Sequence, residues 1–370
     1  MKKIKILILS TSGFTKKEGI STVILDYFAR FDKETFEPHI VVSGDYDKKL
    51  VNCFEQNGIR IHFLHSRKKY LFLYVKELFF EFRKERYDVV YVHGSSAIMS
   101  IELFVAKLSG CKVRVAHSHN TTCDHKRFDK MLRPIFNRLY TDAFACGTEA
   151  GRWLFSNKDF ILIRNGRDVN KYAFDENMRR KIRSELGVDE NCLLIGHVGN
   201  FNNQKNHQFA LNVFKEVLEK KKNAKLYFMG TGALLDDMKR LANEIGISKD
   251  VVFMGSIDNV EEMLQAMDVM ILPSLHEGLP LVVVEWQIAA LPSLVSDNVT
   301  KEVSFSNLVH FMSLEKEYSN WAEKIIEISK FERNRAANEV IRLAQKSGFD
   351  IDEDVKCLQD HLMKKVLMEH

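Results

Sequence analysis

Short apolar runs rich in β-branched residues alternate with stretches of helical periodicity along nearly the whole chain, and this alternation restricts the fold most. In the first half the runs fall at 4–9, 39–42, 59–63, 89–92, 113–116 and 143–146. In the second half they fall at 193–198, 225–229, 251–254, 269–272, 292–296 and, weakly, 310–312. A strand that is apolar throughout is covered on both faces, and strands separated by helical crossovers pair in parallel. The expected class is therefore α/β, with doubly wound parallel sheets. At 370 residues the chain is too long for one core and fits two domains.

The expected division is a Rossmann-like domain over 1–166, a linker over 167–190, a second Rossmann-like domain over 191–345 and a helix over 346–370. The linker is placed where residues 171–187 are charged and poor in strand formers. In the tail, Ile351, Val355, Leu358, Leu362 and Val366 recur at spacings of three and four, which predicts an amphipathic helix. It is expected to pack across the cleft between domains, back to the first.

Hydrophobic residues make up 45% and charged residues 28%, a globular composition. No apolar run approaches the ~18 residues needed to span a bilayer. Lys2, Lys3 and Lys5 precede a short apolar stretch that reads as a first strand rather than a secretory signal. The six cysteines show no C-x-x-C spacing, which fits a reducing compartment. The expected location is cytoplasmic, at the inner face of the cell membrane. Residues 1–170 hold 29 Lys and Arg against 19 Asp and Glu, whereas 171–370 hold 25 against 31. The first half is thus built to meet something anionic. Within it, 67–86 combines Arg67, Lys68, Lys69, Arg83, Lys84 and Arg86 with several aromatics. Leu71, Val75, Leu78 and Phe82 can face a core, but Phe72, Phe79 and Phe80 exceed one stripe. Either the helix is well buried, or it meets an anionic membrane surface. No nucleic-acid recognition motif is present, so nucleic acid is not expected as a partner.

Two loops carry candidate chemistry. In the first, the apolar run 269–272 is broken by Gly278 and Pro280, and Glu277 and Glu285 stand eight residues apart. Pro280 suits the first position of a helix, and a helix N-terminus after a buried strand aims backbone N–H groups and a positive dipole end at a phosphate. By spacing alone Glu277 is as readily a capping acid and Glu285 a solvated helix residue. The second loop runs from Gly196 to His207: a strand ends at Gly199 and Lys205 stands where a helix begins, offering a point charge to a diphosphate. Taken by itself, the loop reads more readily as an ordinary capped helix.

Taken together, Gly199 with Lys205 and Asn206, Gly230-Thr231-Gly232, Phe253-Met254-Gly255, Pro273-Ser274, Glu277-Gly278-Leu279-Pro280 and Glu285 resemble, in order and spacing, the retaining GT-B glycosyltransferases of family 4. Asn165-Gly166 matches the domain junction. His117-Ser118-His119-Asn120 and residues 146–155 look like the capsular and exopolysaccharide branch. The resemblance implies a hexose moved from a nucleotide diphosphate, expected to be UDP, to a lipid-linked saccharide, with retention and no further cofactor. It implies that Lys205 holds the donor diphosphate and that Glu285 holds the ribose. Glu277, with the amides of Gly278, Leu279 and Leu281, would hold the transferred sugar and its phosphates. The base would lie against backbone around Gly255. Gly19, in Glu18-Gly19-Ile20-Ser21, matches the glycine loop after the first strand, and His119 the cleft histidine near the anomeric centre, with His117 the second choice.

One position departs from the pattern: Asn200 stands where many relatives carry Arg, which removes one charge from the diphosphate site. Arg114 or Arg127 is a candidate to compensate. Cys111, His117, His119, Cys123 and His125 supply soft ligands, but a strand separates Cys111 from His119 and argues against joint zinc coordination. Asp45-Tyr46-Asp47 resembles a metal motif of another glycosyltransferase fold, yet loop aspartates are usually turn formers, and no catalytic metal is expected. The competing functions are a sugar-nucleotide epimerase or hydrolase on the same scaffold, and a non-catalytic scaffold protein.

Overall fold

A computed structural model describes residues 2–14, 19–123 and 125–369. The chain divides into two units, the first formed by Met1–Gly166 with Ile351–His370 and the second by Arg167–Asp350. The first holds strands β1 (Ile4–Ser10), β2 (Phe36–Ser43), β3 (Arg60–Leu64), β4 (Val89–Gly94), β5 (Val113–Ser118), β6 (Asp142–Ala145) and β7 (Ile161–Leu162). They pair in parallel in the order β3-β2-β1-β4-β5-β6-β7. The second holds β8 (Leu193–Val198), β9 (Ala224–Met229), β10 (Val251–Gly255), β11 (Val269–Leu272), β12 (Ser293–Ser296) and β13 (Val309–Met312). Its order is β10-β9-β8-β11-β12-β13, again all parallel.

Covering of both sheet faces explains the continuous apolar runs. In β8, Leu193 and Ile195 join one core cluster with Phe214 and Trp321, while Leu194 joins the other with Trp286 and Met270. Residues alternate sides along a strand, so both sides need apolar chains.

Residues 167–190, expected as a linker, contribute two helices to the second unit, Val169–Tyr172 and Glu176–Glu185. Asp168 caps the first by accepting from the amides of Asn170 and Lys171, and Asp175 caps the second through Asn177 and Met178. Two of the charges in this segment point inward. Arg179 donates to the carbonyls of Gln265, Ala266 and Met267, and Arg183, itself buried, donates to Ala266 and Cys192.

The tail forms the helix Ile351–Glu369, which belongs to the first unit. All five residues of its predicted stripe are buried. The Tyr27 hydroxyl donates to Asp354 Oδ2 at 2.6 Å and accepts from the Gly166 amide at 2.7 Å. Farther along, His361 and Lys365 meet Asp142 Oδ1 at 2.8 and 2.9 Å. Within Asp45-Tyr46-Asp47, Asp47 caps the helix Lys48–Gln56.

The helix Leu71–Glu85 buries Tyr74, Leu78 and Phe82, with Val75 half-buried. Leu71, expected inside, is exposed, and Tyr74 takes the core position with its hydroxyl on Glu102. Arg67 is also committed, its Nε lying 2.5 Å from Glu102 Oε1.

Candidate functional site

In an open parallel sheet, ligands gather beyond the carboxyl ends of the strands where the strand order reverses. In the second unit that point lies between β8 and β11. The two loops singled out in the sequence, 199–205 and 273–281, leave these two strands.

The loops are joined to each other. The Leu275 amide donates to Gln204 O at 2.8 Å, and Gln204 Nε2 donates to His276 O at 2.9 Å. Across this seam Lys205 Nζ lies 2.7 Å from Glu277 Oε1, which also accepts from Ser274 Oγ at 3.0 Å. Both side chains are largely shielded, at 16% and 11% exposure. The Lys205 amide is capped by Asn202 Oδ1 at 3.0 Å, so the capped-turn reading holds together with the ion pair. A third loop, 230–232, packs so closely that a Cβ on Gly230 would fall 2.0 Å from Gly199 O, and one on Gly232 2.4 Å from Phe201 O. Both glycines also have positive φ, so close approach and backbone conformation exclude a side chain there.

The helix following Glu277 is Leu281–Ile288, and Pro280 sits one residue before it rather than at its first position. Leu281 opens the helix, with Gly278 and Leu279 in the turn ahead of it. Asn200 is exposed, and Gly255 ends β10 at φ +71°, accepting from the Gly230 amide at 2.8 Å.

Glu285 is no solvated helix residue: it is 5% exposed, and its Oε1 accepts from Arg167 Nε at 2.8 Å and Nη2 at 2.7 Å. Burial first, and the Glu285 charge second, push the neighbouring Tyr172 phenol well above its usual range, so it stays a neutral donor. Arg167 escaped the sequence reading because 118 residues separate it from Glu285.

In the first unit, β4 and β5 lie side by side with His93 opposite His117. The His119 amide continues that ladder, donating to Gly94 O at 3.0 Å. Three imidazoles therefore meet: His93 Nδ1 lies 2.8 Å from His119 Nε2, and the rings of His117 and His119 are 4.1 Å apart. His93 and His117 are buried, while His119 keeps some exposure. Desolvation lowers all three, His119 to about 3, so they are neutral at pH 7. His93 was missed because only the pairing of β4 with β5 places it here. Cys111 lies before β5, its Sγ directed at the carbonyls of Asp88 and Val113, away from this cluster. Arg114 is spent on the carbonyls of Cys111, Lys112 and Leu139, which removes it as a substitute for the charge lost at Asn200. Gly19 opens the helix Gly19–Ala29, and Glu18 lies outside the described residues.

Sequence comparison gives the family. Residues 178–346 match the model for "Glycosyl transferases group 1" and residues 17–170 that for "Glycosyltransferase Family 4". The putative glycosyltransferase EpsF of Bacillus subtilis is 33% identical over 286 residues, covering 74% of this chain and 73% of its own. The chain belongs to the family 4 glycosyltransferases. This glycosyltransferase is also 26% identical over 300 residues to the Escherichia coli UDP-Gal:alpha-D-GlcNAc-diphosphoundecaprenol alpha-1,3-galactosyltransferase, covering 75% of this chain and 76% of that one. Its GT-B fold is shared with Anabaena HepE, solved in complex with UDP, at a TM-score of 0.80 and 17% identity over 98% of this chain and 100% of that one.

Proposed function

We propose that this glycosyltransferase moves a hexose from a UDP-sugar to a lipid-linked saccharide, with retention and without a catalytic metal, in capsular, exopolysaccharide or related cell-surface glycan synthesis. The observation that carries the donor reading is the junction of Lys205 and Glu277 at the β8/β11 switch point, beside the start of the helix Leu281–Ile288. A diphosphate there would draw Lys205 Nζ from the carboxylate and take up its charge as the leaving group departs. The amides around Gly278 to Leu281 supply further donors at the positive end of a helix dipole. Glu285, fixed by Arg167 and beside the Tyr172 phenol, would recognise the ribose hydroxyls. Neither Glu is assigned proton transfer. UDP in HepE and the UDP-Gal donor and diphosphoundecaprenol acceptor of the Escherichia coli relative support the choice of substrates. His119 is assigned to the sugar, near the reacting carbon.

An anionic membrane surface is proposed to meet the first unit. Phe72 is 91% and Phe80 59% exposed, next to exposed Lys68, Lys69, Arg83 and Arg86. The helix Lys126–Phe136 likewise exposes Phe128, Met131 and Ile135 among Lys126, Arg127 and Lys130. Apolar side chains framed by cations suit the headgroup region. Replacing Lys68, Lys69, Arg83 and Arg86 by Glu should abolish binding to anionic vesicles; unchanged binding rejects this surface.

Calorimetry with UDP-, GDP- and ADP-sugars tests the main reading. UDP-sugars should bind, and Lys205→Ala should weaken binding by about 10- to 100-fold, as expected for loss of one charge-assisted contact. His119→Ala should lower turnover more than affinity. Rapid conversion of the donor without acceptor would instead indicate an epimerase or hydrolase. Absence of UDP binding and turnover would indicate a scaffold protein.

A further inference from the structure

We propose that His93, His117 and His119 form a binding site for one borderline-soft divalent cation of the Zn²⁺ class. One nitrogen from each ring lies within 4.8 Å of the other two. Zinc–imidazole bonds of about 2.0–2.1 Å place tetrahedral ligand atoms roughly 3.3 Å apart. That value lies between the 2.8 Å separating His93 Nδ1 from His119 Nε2 and the outer spread of the cluster.

The decisive observation is that His117 Nε2 is buried with no hydrogen-bond partner, on a residue only 2% exposed. A purely structural stack of rings would leave this desolvated nitrogen unpaired, which folded proteins avoid. The other nitrogen of His117 is already engaged, its Nδ1 lying 3.0 Å from the Tyr91 hydroxyl. With Nδ1–H donated to the phenol oxygen, Nε2 presents a lone pair, the arrangement that orients metal-bound histidines. Three neutral imidazoles favour Zn²⁺, Co²⁺, Ni²⁺ or Cu²⁺ over Mg²⁺ or Ca²⁺. Partial exposure of His119 gives an ion its entry. Coordination and contact with a sugar draw on the same His119 ring, so the two are alternatives.

The test uses the full chain after chelator treatment, titrated with Co²⁺ and followed by its visible ligand-field bands, with Zn²⁺ as competitor. One ion per chain is expected, displaced by Zn²⁺. Tyr91→Phe, which keeps the ring and removes only the hydroxyl, should weaken binding by about 10- to 100-fold. His117→Asn and His93→Asn should abolish it, and His65→Asn, at an exposed histidine outside the cluster, should leave it unchanged. X-ray absorption at the zinc edge on the unaltered chain should show three imidazole ligands, a measurement that survives any misfolding of the variants. Absence of stoichiometric binding, or fewer than three imidazoles around the ion, overturns the proposal.

Discussion

At residue scale, Arg167 and Glu285 face each other with 11% and 7% of their side chains exposed, so each charge depends on the other. Removing one member of such a pair leaves an uncompensated buried charge, at a cost of about 3–5 kcal/mol. Arg167→Ala should therefore lower the unfolding free energy by that amount, seen as a lower urea midpoint at an unchanged denaturant slope. A loss under ~1 kcal/mol would mean that the pair behaves as a solvated one. Glu285 was legible in the sequence through its place after Gly278 and Pro280. Its partner was not, since a pairwise contact between distant segments has no local signature. The same holds for His93, whose neighbours are set by strand order, and for the Lys205–Glu277 pair, whose members were each legible but whose contact was not.

At the scale of elements, the helix Ile351–Glu369 is held to the first unit by a small polar clasp. Tyr27 contributes one hydroxyl that serves both Asp354 and the Gly166 amide. Tyr27→Phe removes that hydroxyl and weakens the satisfaction of two buried groups, a cost of about 1–3 kcal/mol. Amide exchange along the helix should quicken in the variant; exchange equal to that of the unaltered chain would place the anchor elsewhere. The stripe of this helix was readable because burial follows its spacing. Strands β4 and β8 were readable for the same reason, being largely apolar on both faces. The two residues of β7 are too few to carry any period. Residues 167–190 misled because Arg179 and Arg183 look like solvent-facing charges in a sequence, whereas their guanidinium groups close off backbone carbonyls in the core of the second unit. Charge in a sequence reports a need for partners and leaves open whether water provides them.

At the scale of the whole molecule, His93, His117, His119, His197 and His207 are all held below their ordinary pKa by burial, His119 and His207 to about 3. Their stabilising contribution is complete above the unfolded value of about 6.5. As pH falls below it, the unfolded chain takes up protons that the native state refuses, so stability declines from there downward. Each such histidine removes about 1.4 kcal/mol per pH unit once the unfolded form is protonated. Unfolding followed by tryptophan fluorescence should show a steep fall in urea midpoint between about pH 7 and 5, before the carboxylates titrate. A flat profile over that range would contradict neutral burial of these rings.

The main chain enters the second unit at Arg167 and leaves it at Asp350, and these two residues are paired: the Arg167 amide donates to Phe349 O at 2.9 Å, and a β-bridge joins Arg167 to Asp350. The second unit is in this sense a cassette inserted into the first, with its two cut ends already side by side. Arg167, Lys205, Glu277 and Glu285 all lie inside the cassette. A gene fragment encoding residues 167–350 should therefore fold by itself and keep the UDP binding proposed for the whole chain, without transferring sugar. Joining residue 166 to 351 through a short linker should leave the remaining sheet intact and unable to bind UDP.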